Sequence, residues 1–379
     1  MKWRRVKLGE ILESSKECRF VEHPLDEKLI SVQLHGKGAV QRVLSQEKAP
    51  SPFKGFVGRE GQIVYSRIWA RKGAIAKIGK DLDGVVVSSE FPLFNVCPVA
   101  DIDYLIYAFQ SSSFKQQLEL AGAGTSGQNR IKEKAFLNFE IPLPPLGEQK
   151  RIAEILGGVS KAIHVVEQQI ETANQLEKSL FNQFRRQYSA LCSPIKNICK
   201  VQTGATPSRK NSAYYDGGIP WVKTGEVNGG KIEETEEYIT ELAVQETNCR
   251  KFPIGTILVA MYGQGATRGK VGILNCAAAT NQACAALIAL ACEDQEYIFA
   301  VLRNCYDELR NLGRGGTQPN LNLTLVKNFE IPWPEEFARE EFSQKWRELD
   351  NLRHLLHRKL SLLQELQKSL ANRAFAGLL

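Results

Sequence analysis

The sequence predicts an α+β protein that is built twice. We expect two mixed α/β domains and two long helices packed as an antiparallel coiled coil, related by a pseudo-two-fold internal repeat. Three observations predict this fold: segments recur at an offset of 190 residues in a chain of 379, short β-like runs fill the first part of each half, and an apolar stripe of helical period fills the last part.

The repeat is clearest in two heptapeptides. NFEIPLP begins at Asn138 and NFEIPWP begins at Asn328, which sets the offset of 190 residues, and QLEKSL matches ELQKSL at the same offset. Matches in the middle of each half need small shifts, as between GQIVYSR at Gly61 and GTILVAM at Gly255. Agreement across several separated motifs indicates a duplication, and the shifts predict loops of different length.

These patterns divide the chain into four segments. Residues 1–145 and 189–335 are predicted to be domains, because β-branched runs alternate there with Gly and Pro. Residues 146–188 and 336–379 are each predicted to be one long helix, preceded by a proline-rich segment that favours a stiff helix entry.

The two helices carry apolar residues in steps of three and four, which is typical of a coiled-coil seam. Gly157 and Gly158 should each weaken the first helix by about 1 kcal/mol, and Arg353 is the one break in the seam of the second. The predicted seam residues are Ile152, Leu156, Val159, Ile163, Val166, Ile170, Leu176, Leu180, Phe342, Trp346, Leu349, Leu356, Leu360, Leu363, Leu366 and Leu370.

The composition excludes several classes of protein. No apolar run reaches the roughly 18 residues that span a bilayer, and the first residues have no apolar signal region, so we expect a cytoplasmic protein without a membrane partner. The nine cysteines include no CxxC pair and the five histidines are scattered, so no metal site is predicted.

The sequence offers no recognisable catalytic residues. GQGATRGKV, which begins at Gly263, departs from the phosphate-binding GxxxxGK[ST] pattern, because Val271 replaces the hydroxyl residue. No GxSxG elbow is present. We therefore expect a binding protein and not an enzyme, and an enzyme with a divergent active site is a further interpretation.

Loops in both halves combine glycine with long hydrogen-bond donors. Arg, Lys, Gln and Asn contact purine edges and phosphates, and the net charge of +7 favours an anionic partner. The candidate DNA-contacting residues are Arg67, Trp69, Arg71, Lys72, Gln128, Asn129, Arg130, Lys223, Tyr262, Gln264, Arg268, Lys270, Arg314 and Gln318. The alternative for each is an exposed loop residue without a function.

The motifs together resemble the specificity subunits of type I restriction–modification systems over essentially the whole chain. Those proteins repeat an F-x-I-P-x-P stretch, found here at residues 139–144 and 329–334, and start a helix with E-Q-K-R-I, found here at 148–152. The LGEIL at 8–12 resembles the start of such domains. The second copy departs from the family pattern, because AREEF at 338–342 replaces E-Q-K-R-I.

The resemblance implies a function. Each half would be a target-recognition domain that reads one half of a bipartite, asymmetric site in double-stranded DNA, and the helices would set the spacer. Two adenine-N6 methyltransferase subunits and the restriction endonuclease subunits would be the partners, in a bacterial or archaeal cytoplasm. S-adenosylmethionine, ATP and magnesium would belong to those partners, with no cofactor in this chain. The alternative is a coiled-coil scaffold that joins two protein-binding domains without DNA contact.

Overall fold

The fold comes from a computed structural model, which contains two compact units. The first unit comprises Met1–Glu167 and Arg358–Leu379, and the second comprises Gln168–His357. Both contain helices and sheets, and two long helices complete the chain, so the predicted α+β class is confirmed. The structure describes residues 3–44, 50–121, 130–263, 265–312 and 320–379.

The first unit is built from short antiparallel strands. Its sheets have the orders β2-β10-β7-β8, β3-β6-β9, β1-β11 and β4-β5. The strands are β1 (Arg5–Lys7), β2 (Leu12–Ser14), β3 (Cys18–Val21), β4 (Ile30–Val32), β5 (Ala39–Gln41), β6 (Phe53–Gly58), β7 (Ile63–Tyr65), β8 (Ile75–Lys77), β9 (Val85–Val87), β10 (Leu93–Val96) and β11 (Glu140–Pro142). The helices are α1 (Ile102–Ala108), α2 (Ser112–Ala121), α3 (Glu133–Leu137) and the long α4 (Leu146–Gln187), which continues into the second unit.

The second unit has larger sheets, with the orders β13-β20-β17-β18-β15, β16-β14-β19 and β12-β21. Its strands are β12 (Cys192–Pro194), β13 (Cys199–Thr203), β14 (Tyr215–Val222), β15 (Lys231–Ile232), β16 (Tyr238–Ile239), β17 (Ile257–Ala260), β18 (Val271–Leu274), β19 (Ala279–Thr280), β20 (Cys284–Ala289) and β21 (Glu330–Pro332). The helices are α5 (Ile195–Ile198), α6 (Glu241–Glu246), α7 (Gln295–Asn304), α8 (Tyr306–Leu312), α9 (Leu323–Asn328) and the long α10 (Glu336–Phe375).

The predicted duplication is visible in the strand order. β2-β10-β7-β8 of the first unit corresponds to β13-β20-β17-β18 of the second. The repeated EIP tripeptide forms β11 and β21, and each pairs with the first strand of its own unit: Ile141 lies opposite Val6, and Ile331 lies opposite Ser193. The NFEIP repeat therefore closes each domain onto its own beginning.

A buried tyrosine holds the segment that leads into each long helix. The hydroxyl of Tyr104 donates a hydrogen bond to the carbonyl of Pro142 at 2.6 Å, and the hydroxyl of Tyr297 donates to the carbonyl of Pro332. Burial raises the pKa of both phenols, so both remain donors at neutral pH. A carbonyl buried without this donor would lower stability.

The departure from E-Q-K-R-I in the second copy has a structural counterpart. In the first unit, buried Gln149 donates to the carbonyl of Pro144 at 2.8 Å. Arg339 takes the equivalent position in the second unit, where it donates to the carbonyl of Pro334 at 2.6 Å and to the Asp294 carboxylate at 2.8 Å. The substitution keeps the bond to the helix entry and adds an ion pair inside its own domain.

In the first unit, the start of α4 packs antiparallel to the end of α10. Gln367 donates to the Ser160 hydroxyl at 2.8 Å, while Ile152, earlier on α4, shares a buried cluster with Ala374, later on α10. The helix continues without a break through Gly157. Packing of its apolar face against the domain stabilises the helix there more than the glycines weaken it.

The second unit contains the other half of each helix, again antiparallel. The rings of Phe184 and Phe342 lie 4.5 Å apart, and Glu177, two turns earlier on α4, meets Trp346 one turn later on α10. These aromatic side chains belong to the largest buried cluster of the unit. The predicted pairing of two long helices is confirmed.

A buried carboxylate lies inside this pairing. The side chain of Glu177 is 9% exposed and accepts hydrogen bonds from the indole nitrogen of Trp346 at 2.9 Å and from Arg353 at 2.6 Å. Arg303 lies 3.6 Å from the same carboxylate and 2.8 Å from Asp350. We call these five residues the Glu177 network. Arg353 breaks the apolar stripe because it pairs with a carboxylate on the facing helix.

Two residues of the predicted seam lie elsewhere. Leu176 and Leu366 are 51% and 46% exposed, because the neighbouring Glu177 and Gln367 turn inward in their place. Of the other seam residues, Ile152, Leu156, Val166, Ile170, Phe342, Trp346 and Leu356 are buried, while Val159, Ile163, Leu180, Leu349, Leu360, Leu363 and Leu370 are partly buried.

The Glu177 network yields a prediction on stability. Glu177→Ala leaves Arg303 and Arg353 as partly buried charges that lack one carboxylate, so the free energy of unfolding should fall by about 3–5 kcal/mol. Urea unfolding of the purified chain measures this. Glu171→Ala is the matched control, since Glu171 is exposed on the same helix and accepts a hydrogen bond from Gln175, one turn along that helix. Equal losses in the two variants would contradict the assigned role.

Candidate nucleic-acid interface

The first group of candidate residues lies on the loop between β7 and β8. Backbone hydrogen bonds from Ser66 to Ala74 and across a short 3₁₀ turn hold this loop. Gly73 has a φ of +77°, and a Cβ there would approach the backbone of His35 to 3.2 Å, so the turn requires glycine. The loop therefore presents Trp69, which is 47% exposed, from a fixed backbone.

Two cationic side chains follow this tryptophan in the same turn. The ammonium group of Lys72 lies 5.0 Å from the centre of the Trp69 ring, within the range of a cation–π interaction. Arg71 reaches the C-terminal turn of α2, where it donates to the carbonyl of Glu119 at 3.1 Å. The exposed aromatic and its neighbouring cations form a surface suited to a polyanion that carries flat bases.

Two further candidates, predicted from different loops, lie together. The backbone amide of Ile131 donates to the carbonyl of Arg67 at 2.8 Å, which places Arg130 beside the β7 loop. Arg67 lies 3.5 Å from Glu133, and Arg130 lies 3.5 Å from Glu90. We call Arg67, Glu90, Arg130 and Glu133 the charged cluster.

The two acids of the charged cluster were not predicted from the sequence. Glu133 also accepts from the hydroxyl of Ser14, and the carbonyl of Glu90 accepts from the backbone amide of Arg67 at 2.9 Å. Among the described residues, neither Nε of Arg67 nor Oε2 of Glu90 has a hydrogen-bond partner, although both atoms are buried. The contact that Oε2 of Glu90 makes is its ion pair with Arg130.

The second unit holds a comparable group around Glu237. Lys223, which follows β14, lies 2.9 Å from Glu236 and 3.1 Å from Glu237. Arg209 lies 2.6 Å from Glu237, with its guanidinium 4.6 Å from the Tyr215 ring. The hydrogen bond from Arg209, followed by that from Lys223, lowers the pKa of the Glu237 carboxyl, so this group remains an anion at neutral pH.

Arg209 was not among the sequence predictions. Its guanidinium also lies 5.3 Å from the ring of Trp221, which in turn donates to the carbonyl of Ala205 at 3.1 Å. The aromatic residues and the carboxylate restrict the arginine, although more than half of its side chain is exposed. A signal was present in SRKNSAYY, where two cations precede two tyrosines.

The remaining candidates of the second unit lie on the loop after β17. Tyr262 is exposed. The backbone of Lys270 is held in place, because its carbonyl accepts a hydrogen bond from the amide of Ala260 at 2.9 Å. Arg268 is partly buried, and its Nε has no hydrogen-bond partner among the described residues. Five candidates fall outside the described residues, namely Gln128, Asn129, Gln264, Arg314 and Gln318.

A short segment joins the two candidate regions of the second unit. The amide of Asn281 donates to the carbonyl of Val222, directly before Lys223, at 3.2 Å. The amide of Met261, directly before Tyr262, donates to the carbonyl of Ala283 at 2.8 Å. Lys223 and Tyr262 therefore each follow a residue that is bonded to the segment 281–283.

The part of the chain that the structure describes lacks the features of a metal site and of a membrane-spanning helix. It contains no group of three or more His, Cys, Asp or Glu side chains that could hold a metal ion. None of its helices combines the length and the apolar character needed to cross a membrane. Burial raises the pKa of the Cys199, Cys284 and Cys305 thiols to about 12, which makes them poor nucleophiles at neutral pH.

Solved structures with the same architecture cover nearly the whole chain. The S subunit of the type I restriction–modification system from M. genitalium aligns with 99% of this chain and 96% of its own, with a TM-score of 0.65 and 15% identity. A chain from a structure of the type I R-M system, solved to explain complex assembly and conformational transition, aligns over 100% and 98%, with a TM-score of 0.58 and 16% identity. These similarities concern the fold.

Sequence comparisons point to the same proteins. The chain is 24% identical over 299 residues to the type I restriction enzyme MjaVIII specificity subunit of Methanocaldococcus jannaschii, covering 72% of this chain and 69% of that protein. It is 31% identical over 163 residues to the MjaIX specificity subunit of the same organism, covering 42% and 37%.

The family model described as "Type I restriction modification DNA specificity domain" matches residues 1–175 and again 192–364. The two matches follow the duplication seen in the sequence and in the strand order. They confirm the resemblance that the F-x-I-P-x-P and E-Q-K-R-I motifs indicated. The chain belongs to the family of type I restriction–modification DNA specificity subunits.

Proposed function

We propose that this chain is the non-catalytic subunit that reads DNA for a type I restriction–modification complex. Each domain reads one half of a bipartite, asymmetric site in double-stranded DNA, and the long helices set the unread spacer. The observation that carries this proposal is the duplicated fold, in which each unit presents restrained cationic and aromatic side chains on loops. Such groups bind phosphates and base edges.

The helices also support a role in assembly. The outward face of α10 leaves Leu352, Leu355 and Leu362 exposed, and α4 leaves Val165 and Leu176 exposed. Exposed apolar residues along a helix are typical of surfaces that another protein covers. In the proposed complex, two adenine-N6 methyltransferase subunits dock on these helices and the restriction endonuclease subunits join through them, in the cytoplasm.

In this proposal the chemistry belongs to the partners. The methyltransferase subunits use S-adenosylmethionine, and the endonuclease subunits use ATP and magnesium, while this chain supplies the recognition. A map of N6-methyladenine in the source organism, with and without the gene for this chain, tests the assignment. We expect a split motif with a fixed gap, which is lost when the gene is deleted.

An unchanged methylation map would contradict the proposal if the complex also fails to bind duplex DNA. Binding of the purified complex with its methyltransferase subunits should weaken steeply with salt, because phosphate contacts release counterions. Binding that is absent at low salt would favour the coiled-coil scaffold. The salt dependence thus separates a silent system from a protein that does not bind DNA.

A paired insertion tests the spacer. One heptad inserted between Glu167 and Gln168, with a second between His357 and Arg358, lengthens both helices by about 10 Å. Because one base pair rises about 3.4 Å, the unread gap should grow by about three base pairs. The methylation map of the insertion strain measures the gap.

Insertion into a single helix is the matched comparison. It shifts α4 against α10 by seven residues, so either the bond between Glu177 and Trp346 or the bond between Ser160 and Gln367 is lost, and assembly with the methyltransferase subunits should fail. Methylation by the paired-insertion complex at the original gap would contradict the role of the helices in setting the spacer.

The acid between Lys223 and Arg209 gives a test on the second domain. Glu237→Gln removes the charge that orients both cations, so specific binding should weaken several-fold. Binding to unrelated DNA should strengthen slightly, because a negative charge is lost. Fluorescence anisotropy with specific and unrelated duplexes measures the ratio. Glu234→Gln is the matched control, because Glu234 is an exposed acid of the same loop and its substitution changes the net charge equally. This variant should leave the ratio of specific to unrelated binding near its wild-type value. Equal ratios in the two variants would argue against a positioning role for Glu237.

A further inference from the structure

The two units can be compared atom by atom at the charged cluster, because the backbone there is the same. In the first unit, the amide of Ile131 donates to the carbonyl of Arg67 at 2.8 Å. In the second, the amide of Leu321 donates to the carbonyl of Met261 at 3.2 Å. In the first unit, this bond joins the end of β7 to the segment before α3. In the second unit, the corresponding bond joins the end of β17 to the segment before α9. Arg67 and Met261 therefore occupy equivalent positions.

A second backbone bond fixes the position of Glu90. The amide of Arg67 donates to the carbonyl of Glu90 at 2.9 Å, and the amide of Met261 donates to the carbonyl of Ala283 at 2.8 Å. Ala283 is therefore the counterpart of Glu90.

The counterparts differ sharply in chemistry. Arg130 directly precedes Ile131, as Asn320 precedes Leu321, and Glu133 begins α3, as Leu323 begins α9. The four charged residues of the first unit thus correspond to Met261, Ala283, Asn320 and Leu323, and all four charges are absent from the second unit. Even Tyr65 and Ser14, which line the charged cluster, correspond to Val259 and Val201 in the strand pairing.

This difference argues against a purely structural role for the charges. The second unit forms the same strand order with neutral residues at these positions, and Met261 is 2% exposed in its apolar cluster. Partly buried ion pairs stabilise a fold no better than apolar residues of similar size. Arg130 is about half exposed although it pairs with Glu90, so its guanidinium remains accessible to a ligand.

The charged cluster contains both arginines and glutamates, and this combination indicates which ligand it fits. A site for phosphate alone would exclude carboxylates, because like charges repel. Guanine offers two acceptors in the major groove that match an arginine fork, and cytosine offers an amino group that a glutamate accepts. A site that holds both an arginine and a glutamate therefore matches both partners of one base pair.

We propose that the charged cluster reads a G·C pair in the half-site of the first domain, with Arg130 on guanine and Glu90 on the cytosine amino group. Glu133 is a positioning residue, since it pairs with Arg67 and is held by Ser14. This inference rests on the proposed function and adds the identity of a base pair to it. The second domain, which has neutral residues there, reads its half-site with other groups.

An exchange variant tests the assignment without changing the net charge. Arg67→Met, Glu90→Ala, Arg130→Asn and Glu133→Leu together place the residues of the second unit on the equivalent backbone. The chain is assembled with its methyltransferase subunits and used to select duplexes from a random library. Preference for G·C at one position of one half-site should fall by about ten- to a hundredfold, while the other half-site keeps its sequence.

Two further variants keep the test decisive. Arg130→Lys changes a half-exposed side chain, retains the charge and removes the fork, so it should lose part of the same preference even if the exchange variant does not fold. Arg59→Gln with Glu17→Gln removes an exposed ion pair of the same unit and should leave the motif unchanged. An unchanged motif in the assembled exchange variant, or an unchanged preference for guanine in Arg130→Lys, overturns the assignment of the cluster alone. A wild-type complex that selects no split motif overturns the proposed function as well.

Discussion

The carboxylate of Glu177 constrains the second unit more than any apolar contact, because it must be matched on the facing helix. Trp346 and Arg353 donate to it, and Arg303 adds a third positive or polar group from α7. Apolar side chains tolerate sliding, whereas a buried carboxylate without donors costs several kcal/mol. The network therefore selects one alignment of α4 with α10 and ties that alignment to the domain through Arg303.

The duplication separates what the fold requires from what varies between the copies. The tyrosine that donates to a proline carbonyl is present in both units, as Tyr104 and Tyr297, and so is the strand order. The helix-entry position retains its bond although Gln149 in one unit is Arg339 in the other. Positions that hold backbone segments together keep their interactions, whereas the loops after β7 and β17 differ in charge, size and side-chain chemistry.

The sequence predicted the features that depend on period and repetition. The stripe of apolar residues indicated both long helices, and NFEIP marked the strand that closes each domain. The polar contacts could not be predicted from the sequence, because they join residues far apart in the chain, such as Glu177 with Trp346 or Arg209 with Glu237. In the sequence, Arg353 was only an interruption of the apolar stripe of the second long helix, and Glu177 had the spacing of a surface residue.

The polar pair in the first unit has a different strength, and this difference has a structural consequence. Gln367 donates to Ser160 there, at the position equivalent to Glu177 in the second unit. A neutral hydrogen bond of this kind contributes about 1 kcal/mol, while breaking a buried ion pair costs about 3–5 kcal/mol. A slip of α10 by one heptad would remove both matches at once, but the larger penalty arises in the second unit. A change of alignment is thus opposed more strongly at Glu177 in the second unit than at Gln367 in the first.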